Sequence, residues 1–179
     1  MASIKGFSLK NVHTMVGRDG QDISADMYFN GKKVGTYRDY GCGGEADAFF
    51  YDLKEKANVF TAIGEWCKNK VDKWSDNFYK TAPERFEQKK GILLDMYPQL
   101  NADEITTGNI IFFSVDILVE NLLNLLKMEK HYKKAVKSGY KGIGIVEAND
   151  YEYSIHCLSA TPADGLYDKV YMNAEDFNI

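Results

Sequence analysis

The chain has 179 residues, 45% hydrophobic and 13% aromatic, with 22 Lys and Arg against 26 Asp and Glu for a net charge of -4. That length and apolar content suit a single domain over residues 1–179 and exclude a disordered polyelectrolyte. The longest charge-free runs, residues 105–115 and 153–163, are 11 residues each, well short of the roughly 20 that a membrane-spanning helix needs.

The first segment, MASIKGFSLK, lacks the apolar run of a secretory signal, and Cys42, Cys67 and Cys157 have no paired spacing. Both features point to a reducing cytoplasm, with no membrane partner. The net charge is unevenly spread. Residues 1–90 balance at +2 and residues 91–179 at -6. Six lysines (Lys127, Lys130, Lys133, Lys134, Lys137, Lys141) fall within fifteen residues that hold one acid, Glu129. From Glu147 onward there are seven acids and one base, Lys169.

In chain order, residues 3–16 predict a strand whose apolar positions change phase. Residues 17–20 predict a turn. Residues 22–29 alternate apolar and polar, the period of a half-buried strand. Asn30-Gly31 then supplies the two positive-φ positions of a type I′ turn, and residues 33–40 form the return strand. Gly41-Cys42-Gly43-Gly44 closes the sheet section.

Residues 53–74 carry apolar side chains at helical spacing. Thr81-Ala-Pro83-Glu84 reads as a capping box opening a helix that Pro98 stops. Asn101-Ala-Asp103-Glu104 opens a third helical region. Residues 110–126 are apolar nearly all round, and the helix continues lysine-rich to a C-cap at Ser138-Gly139. Residues 142–148 and 151–158 predict a second hairpin about Asn149-Asp150, and the tail from Ser159 predicts a loop. The expected fold class is α+β: an antiparallel sheet from the N-terminal hairpin region and the C-terminal hairpin, against about three helices from the middle of the chain.

Several constellations carry chemistry. With a two-residue turn, Asp22 stands opposite Asp39 with Asp26 on the same face, a set that suits a divalent cation such as Mg²⁺ in a metal-assisted nuclease. The plainer alternative is a solvated face neutralised by Lys33. Arg38, Tyr40, Gly43, Gly44 and Glu45 surround a glycine-rich loop whose amides suit an anion; the plainer reading is a turn leaving the sheet. Lys130, Lys134, Lys137 and Lys141 recur at helical spacing as one basic stripe, suited to phosphates or simply to the C-terminal end of a helix dipole. Glu147, Asp150, Glu152, Asp164 and Asp168, interleaved with aromatics, suit a basic partner surface or merely an acidic, solvated terminus. His13, His131 and His156 are scattered, no Cys or His pair has zinc spacing, and no catalytic set assembles.

The stretch Asp26-Met-Tyr-Phe-Asn-Gly-Lys-Lys-Val-Gly-Thr-Tyr-Arg-Asp-Tyr-Gly-Cys-Gly-Gly44 resembles the opening hairpin of small proteins encoded by bacteriophages and integrative elements. In those, an aromatic strand and an Asn-Gly-Lys-Lys-Val-Gly turn lead into an Asp-containing, glycine-rich loop, followed by a helical middle and short C-terminal strands. Their genetic setting resembles that of anti-defence proteins, including inhibitors of type II CRISPR–Cas nucleases. The resemblance implies a host defence nuclease such as Cas9, or its guide RNA complex, as partner, and it carries no catalytic residue or cofactor. Two expectations from other classes stand beside it: a Mg²⁺-dependent guide-RNA nuclease built on Asp22, Asp26 and Asp39, and a protein that sequesters an anionic nucleotide at Arg38 and the glycine loop.

Overall fold

The computed structural model describes residues 1–16, 20–42, 46–148 and 152–179. Residues 17–19 of the turn expected at 17–20 lie outside them, as do the turn at 149–150, Gly43, Gly44 and Glu45. The protein is α+β, and the described residues form two antiparallel sheets of four and three strands and four α-helices. The N-terminal and C-terminal hairpins thus belong to separate sheets. The chain divides into two compact units, residues 4–122 and residues 1–3 with 123–179.

In the larger unit, β1 (Phe7–Val16), β2 (Gln21–Phe29), β3 (Lys32–Asp39) and β4 (Asp47–Phe50) form a meander in that order. Asn30 and Gly31 both take positive φ, 48° and 81°, as the type I′ turn requires. The phase change read in the first strand is a β-bulge. The β1–β2 register slips between Lys10 and His13, where Asn11 adopts φ 49°, a conformation that asparagine tolerates better than most residues. A second bulge lies in β3. Met27 pairs with Gly35 and Tyr28 with Lys33, leaving Val34 as the extra residue. It lets Val34 and Tyr37, three positions apart, both be buried. In an unbroken strand they would face opposite sides.

The helices follow as α1 (Leu53–Cys67), α2 (Lys73–Thr81), α3 (Pro83–Met96) and α4 (Val115–Lys137). The single helix expected over residues 53–74 is two. Asp72 starts α2 by accepting from the Ser75 amide at 2.6 Å, an N-cap that the apolar periodicity does not reveal. Thr81 does not open α3. Its hydroxyl donates to the Phe78 carbonyl at 2.8 Å, and α3 begins at Pro83, whose fixed φ suits the first helical position. The helix stops before Pro98, as expected. Asn101 caps only a 3-10 turn, Ala102–Glu104, and α4 starts at Val115 after a second such turn, Ile110–Phe112. Buried Asn109 ties these connections together, donating to the carbonyls of Glu104 (2.7 Å) and Cys67 (3.4 Å).

The sheet's inward side chains Phe7, Leu9, Met27 and Tyr37 are buried, as are Val59, Phe60 and Ile63 of α1 and Leu118 and Leu122 of α4. The Tyr37 phenol is pushed upward in pKa, first by burial and then by Asp116, to which it hydrogen-bonds, and by Asp39 and Glu120.

The smaller unit holds the rest of α4 and the sheet β6 (Tyr153–Leu158), β5 (Gly142–Glu147), β7 (Lys169–Tyr171), in that order. Gly139, at φ 89°, ends α4 as the sequence indicates. Contrary to a loop-like tail, residues 169–171 add a strand, and Ala174–Phe177 forms a 3-10 turn with a capping box between Asn173 and Asp176. Leu125, Met128, Ile143, Ile145, Leu158 and Phe177 are its buried apolar residues, with Phe177 stacked on Tyr171 at 4.6 Å. Among the described residues, no helix is long and apolar enough to cross a membrane.

Candidate functional site

The β3 bulge decides the fate of the three hairpin carboxylates. Asp39 pairs with Ile23, one position from the pairing a regular hairpin would give, and Asp22 lies opposite Met15 of β1. A one-residue slip moves a side chain to the other face of a sheet, so Asp39 is turned away from Asp22 and Asp26. Each carboxylate has a structural partner. Asp39 accepts the Gly41 amide at 2.8 Å. Asp22 faces Arg38 at 3.5 Å. Asp26 receives Lys33 Nζ at 2.7 Å and Asn11 Nδ2 at 2.7 Å. These two hydrogen bonds, Lys33's first, hold the Asp26 carboxyl below the usual carboxylate range. Among the described residues, no group of three or more His, Cys, Asp and Glu is arranged to hold a metal ion.

Arg38 lies over the ring of Tyr40 at 4.7 Å, besides its contact with Asp22. Gly41 turns at φ 62° and passes so close to Gly20 that a side chain there would meet the Gly41 carbonyl. The anion loop expected beyond it falls on residues outside the described ones.

The lysine block sorts itself by face. Lys133 is held at 2.7 Å by Glu129, a 4% exposed carboxylate that also accepts the Ala2 amide at 3.1 Å and lies 3.2 Å from the Met1 amino group. Burial pushes Glu129 upward, but the bonds from Lys133, Ala2 and Met1 outweigh it, so its pKa is lowered. Lys130, Lys134 and Lys137 are exposed at i, i+4 and i+7 along α4, with Lys141 exposed just beyond the helix end. Among the described residues, none of these four makes an ion pair within 4.0 Å. They sit at the negative end of the helix dipole, which favours cations.

Beside this stripe, an open groove runs between α4 and β6. Its wider part, about 560 Å³, is lined by Lys127, His131, Glu152, Tyr153 and Ile155. A second part of about 280 Å³ shares His131 and Ile155 and reaches Lys134 and Cys157. One wall is helical, with Lys127, His131 and Lys134 at i, i+4 and i+7. The other is the alternating face Tyr153, Ile155 and Cys157 of β6. Lys127 Nζ lies 5.0 Å from the Tyr153 ring, and the buried Tyr153 hydroxyl has no hydrogen-bond partner among the described residues. His156 points to the other side of the strand, toward Ser154 and Tyr167, so it and Cys157 stand apart as the alternation requires.

The acidic terminus is largely committed to its own fold. Glu147 pairs with Lys169, Asp168 accepts the Glu147 amide at 2.7 Å, and Asp176 accepts the amides of Met172 and Asn173. Glu152 borders the groove, and Asp164 is exposed.

The lysine stripe was thus visible in the sequence, but the groove was not. The helical spacing of Lys127, His131 and Lys134 was there to be read. Only the placement of β6 beside α4 gives that wall an opposite side. No protein family, curated protein or solved structure matches the chain.

Proposed function

We propose that this protein is an anti-defence binding protein of a phage or mobile element, acting in the bacterial cytoplasm on a CRISPR–Cas9-type nuclease. In this reading it engages the nuclease–guide RNA complex by holding RNA phosphates along the lysine face of α4. The observation that carries the reading is the row Lys130, Lys134 and Lys137, exposed and in no ion pair among the described residues. Cations left without acidic partners on one helix face attract a polyanion and release its counterions on binding. The class of target comes from the hairpin resemblance at residues 26–44.

The test is cleavage of target DNA by a Cas9–guide complex preincubated with the protein, alongside binding of the isolated guide RNA. Inhibition by the wild type, relieved in a Lys130→Glu/Lys134→Glu/Lys137→Glu variant of unchanged folded content, is the expected result. Normal cleavage and no complex with several Cas9 orthologues would remove the reading.

A further inference from the structure

The two tryptophans occupy opposite environments. Trp66 in α1 is 8% exposed, set edge-on to Phe112 at 6.1 Å and covered by Lys70 at 4.2 Å. Trp74, in the first turn of α2, is 68% exposed. One turn on, the Phe78 ring lies nearly parallel to it, at an interplanar angle of 5° and a centroid distance of 5.3 Å. This exposed indole is a large apolar surface left in water, where burial would be favourable.

Cations lie beside this pair. The Arg85 guanidinium lies 5.8 Å from the Phe78 ring centroid, and Lys89 Nζ lies 6.0 Å from that of Tyr79. Neither they nor Lys73, next to Trp74 in sequence, make an ion pair among the described residues. Of the nearby acids, Asp72 caps α2 and Asp76 holds Lys80 and the Thr107 hydroxyl, whereas Glu84 and Glu87 of α3 are exposed and in no ion pair among the described residues. A parallel aromatic pair with an exposed indole and a guanidinium beside it offers what unpaired nucleobases need, a π-face for the base and a cation for a flanking phosphate.

We infer that the Trp74–Phe78 pair is a stacking platform for single-stranded RNA, with Lys73 and Arg85 taking the adjacent phosphates. The site is distinct from the lysine face of α4 and does not depend on it. A duplex keeps its bases stacked inside and does not offer them to the indole.

The experiment is a titration of the intact protein with oligouridylate and oligoadenylate of about 12 nucleotides, and with a duplex of the same length. Tryptophan emission and oligonucleotide anisotropy are read together. Single strands quench the exposed indole and the duplex does not; Trp74→Ala abolishes the quench and weakens single-strand binding by about tenfold. Circular dichroism confirms that the surface variant stays folded. Unchanged emission at saturation overturns the platform, as does a quench that survives Trp74→Ala, or the absence of single-strand binding. Running the α4 charge-reversal variant in parallel separates the two sites. A quench retained there, with guide-RNA inhibition lost, keeps the platform and locates inhibition on α4. A quench absent in the wild type, with inhibition intact, leaves α4 alone.

Discussion

Lys33 brings its ammonium to 2.7 Å from Asp26 Oδ1 across the β2–β3 ladder, while Asn11, from the β1 bulge, donates to Oδ2 at 2.7 Å. One carboxylate therefore ties three strands together on the polar side of the sheet. It also neutralises a face that otherwise gathers several charges.

Replacing Asp26 by Asn removes the ion pair and costs about 1 kcal/mol. Because the folded protein lowers the Asp26 pKa, the contribution is present above the unfolded carboxyl value of about 3.9. It is lost as pH falls through the lower folded value. Urea midpoints of wild type and Asp26→Asn should differ near neutral pH, and the gap should narrow as pH falls below the unfolded carboxyl value of about 3.9. A gap that persisted in acid would mean the ion pair is not its source.

Gly35 occupies the β3 bulge, where a Cβ would lie 2.1 Å from the Phe49 carbonyl oxygen and 2.8 Å from Met27 Cε. The first neighbour is backbone and cannot yield without moving β4. Gly35→Ala should destabilise the protein by about 2–3 kcal/mol in urea denaturation. Gly31→Ala, where nothing lies within 4 Å, pays only for its positive φ, about 1 kcal/mol. Equal effects would place the cost in the backbone rather than in the close approach.

These two glycines mark where the sequence was legible. Asn30-Gly31 names its turn because local chemistry alone sets it. The bulge at Val34 depends on both Val34 and Tyr37 reaching the core, and parity shows the conflict only once both are known to be buried. The same division runs through the helices. The apolar run leading into α4 and the Gly139 end are local signals. The break at residues 68–72 depends on an Asp72 cap inside an otherwise helical pattern. Strands β4 and β7, four and three residues long, are too short for periodicity to register and exist through pairing with β3 and β5. The lysine stripe was legible as spacing, whereas the groove needs β6 brought alongside α4.

Cys67 is fully buried, and burial pushes its thiol up to about 12, only partly offset by Lys70. Cys42 and Cys157 are exposed. A thiol-specific reagent at mildly alkaline pH should therefore label two cysteines of the native protein, identified by peptide mapping as Cys42 and Cys157. The third should react only as urea unfolds the chain. Three thiols reacting together in native buffer would contradict the burial of α1's last turn.

The lysines of α4 differ in ways a salt titration can read. Lys130, Lys134 and Lys137 project without acidic partners among the described residues, whereas Lys133 is already neutralised by Glu129 at 2.7 Å. For single-stranded RNA each phosphate contact contributes about 0.7 to the slope of log affinity against log salt. Changing Lys130, Lys134 and Lys137 together to Gln should flatten that slope by about 2. Lys133→Gln should leave it nearly unchanged and lower stability instead, because the buried Glu129 loses its ion-pair partner on the helix. RNA seated along this face should also slow labelling of Cys157, which lines the adjoining groove with Lys134. If Lys133→Gln flattened the slope as much as its neighbours do, binding would follow total charge rather than this face of the helix.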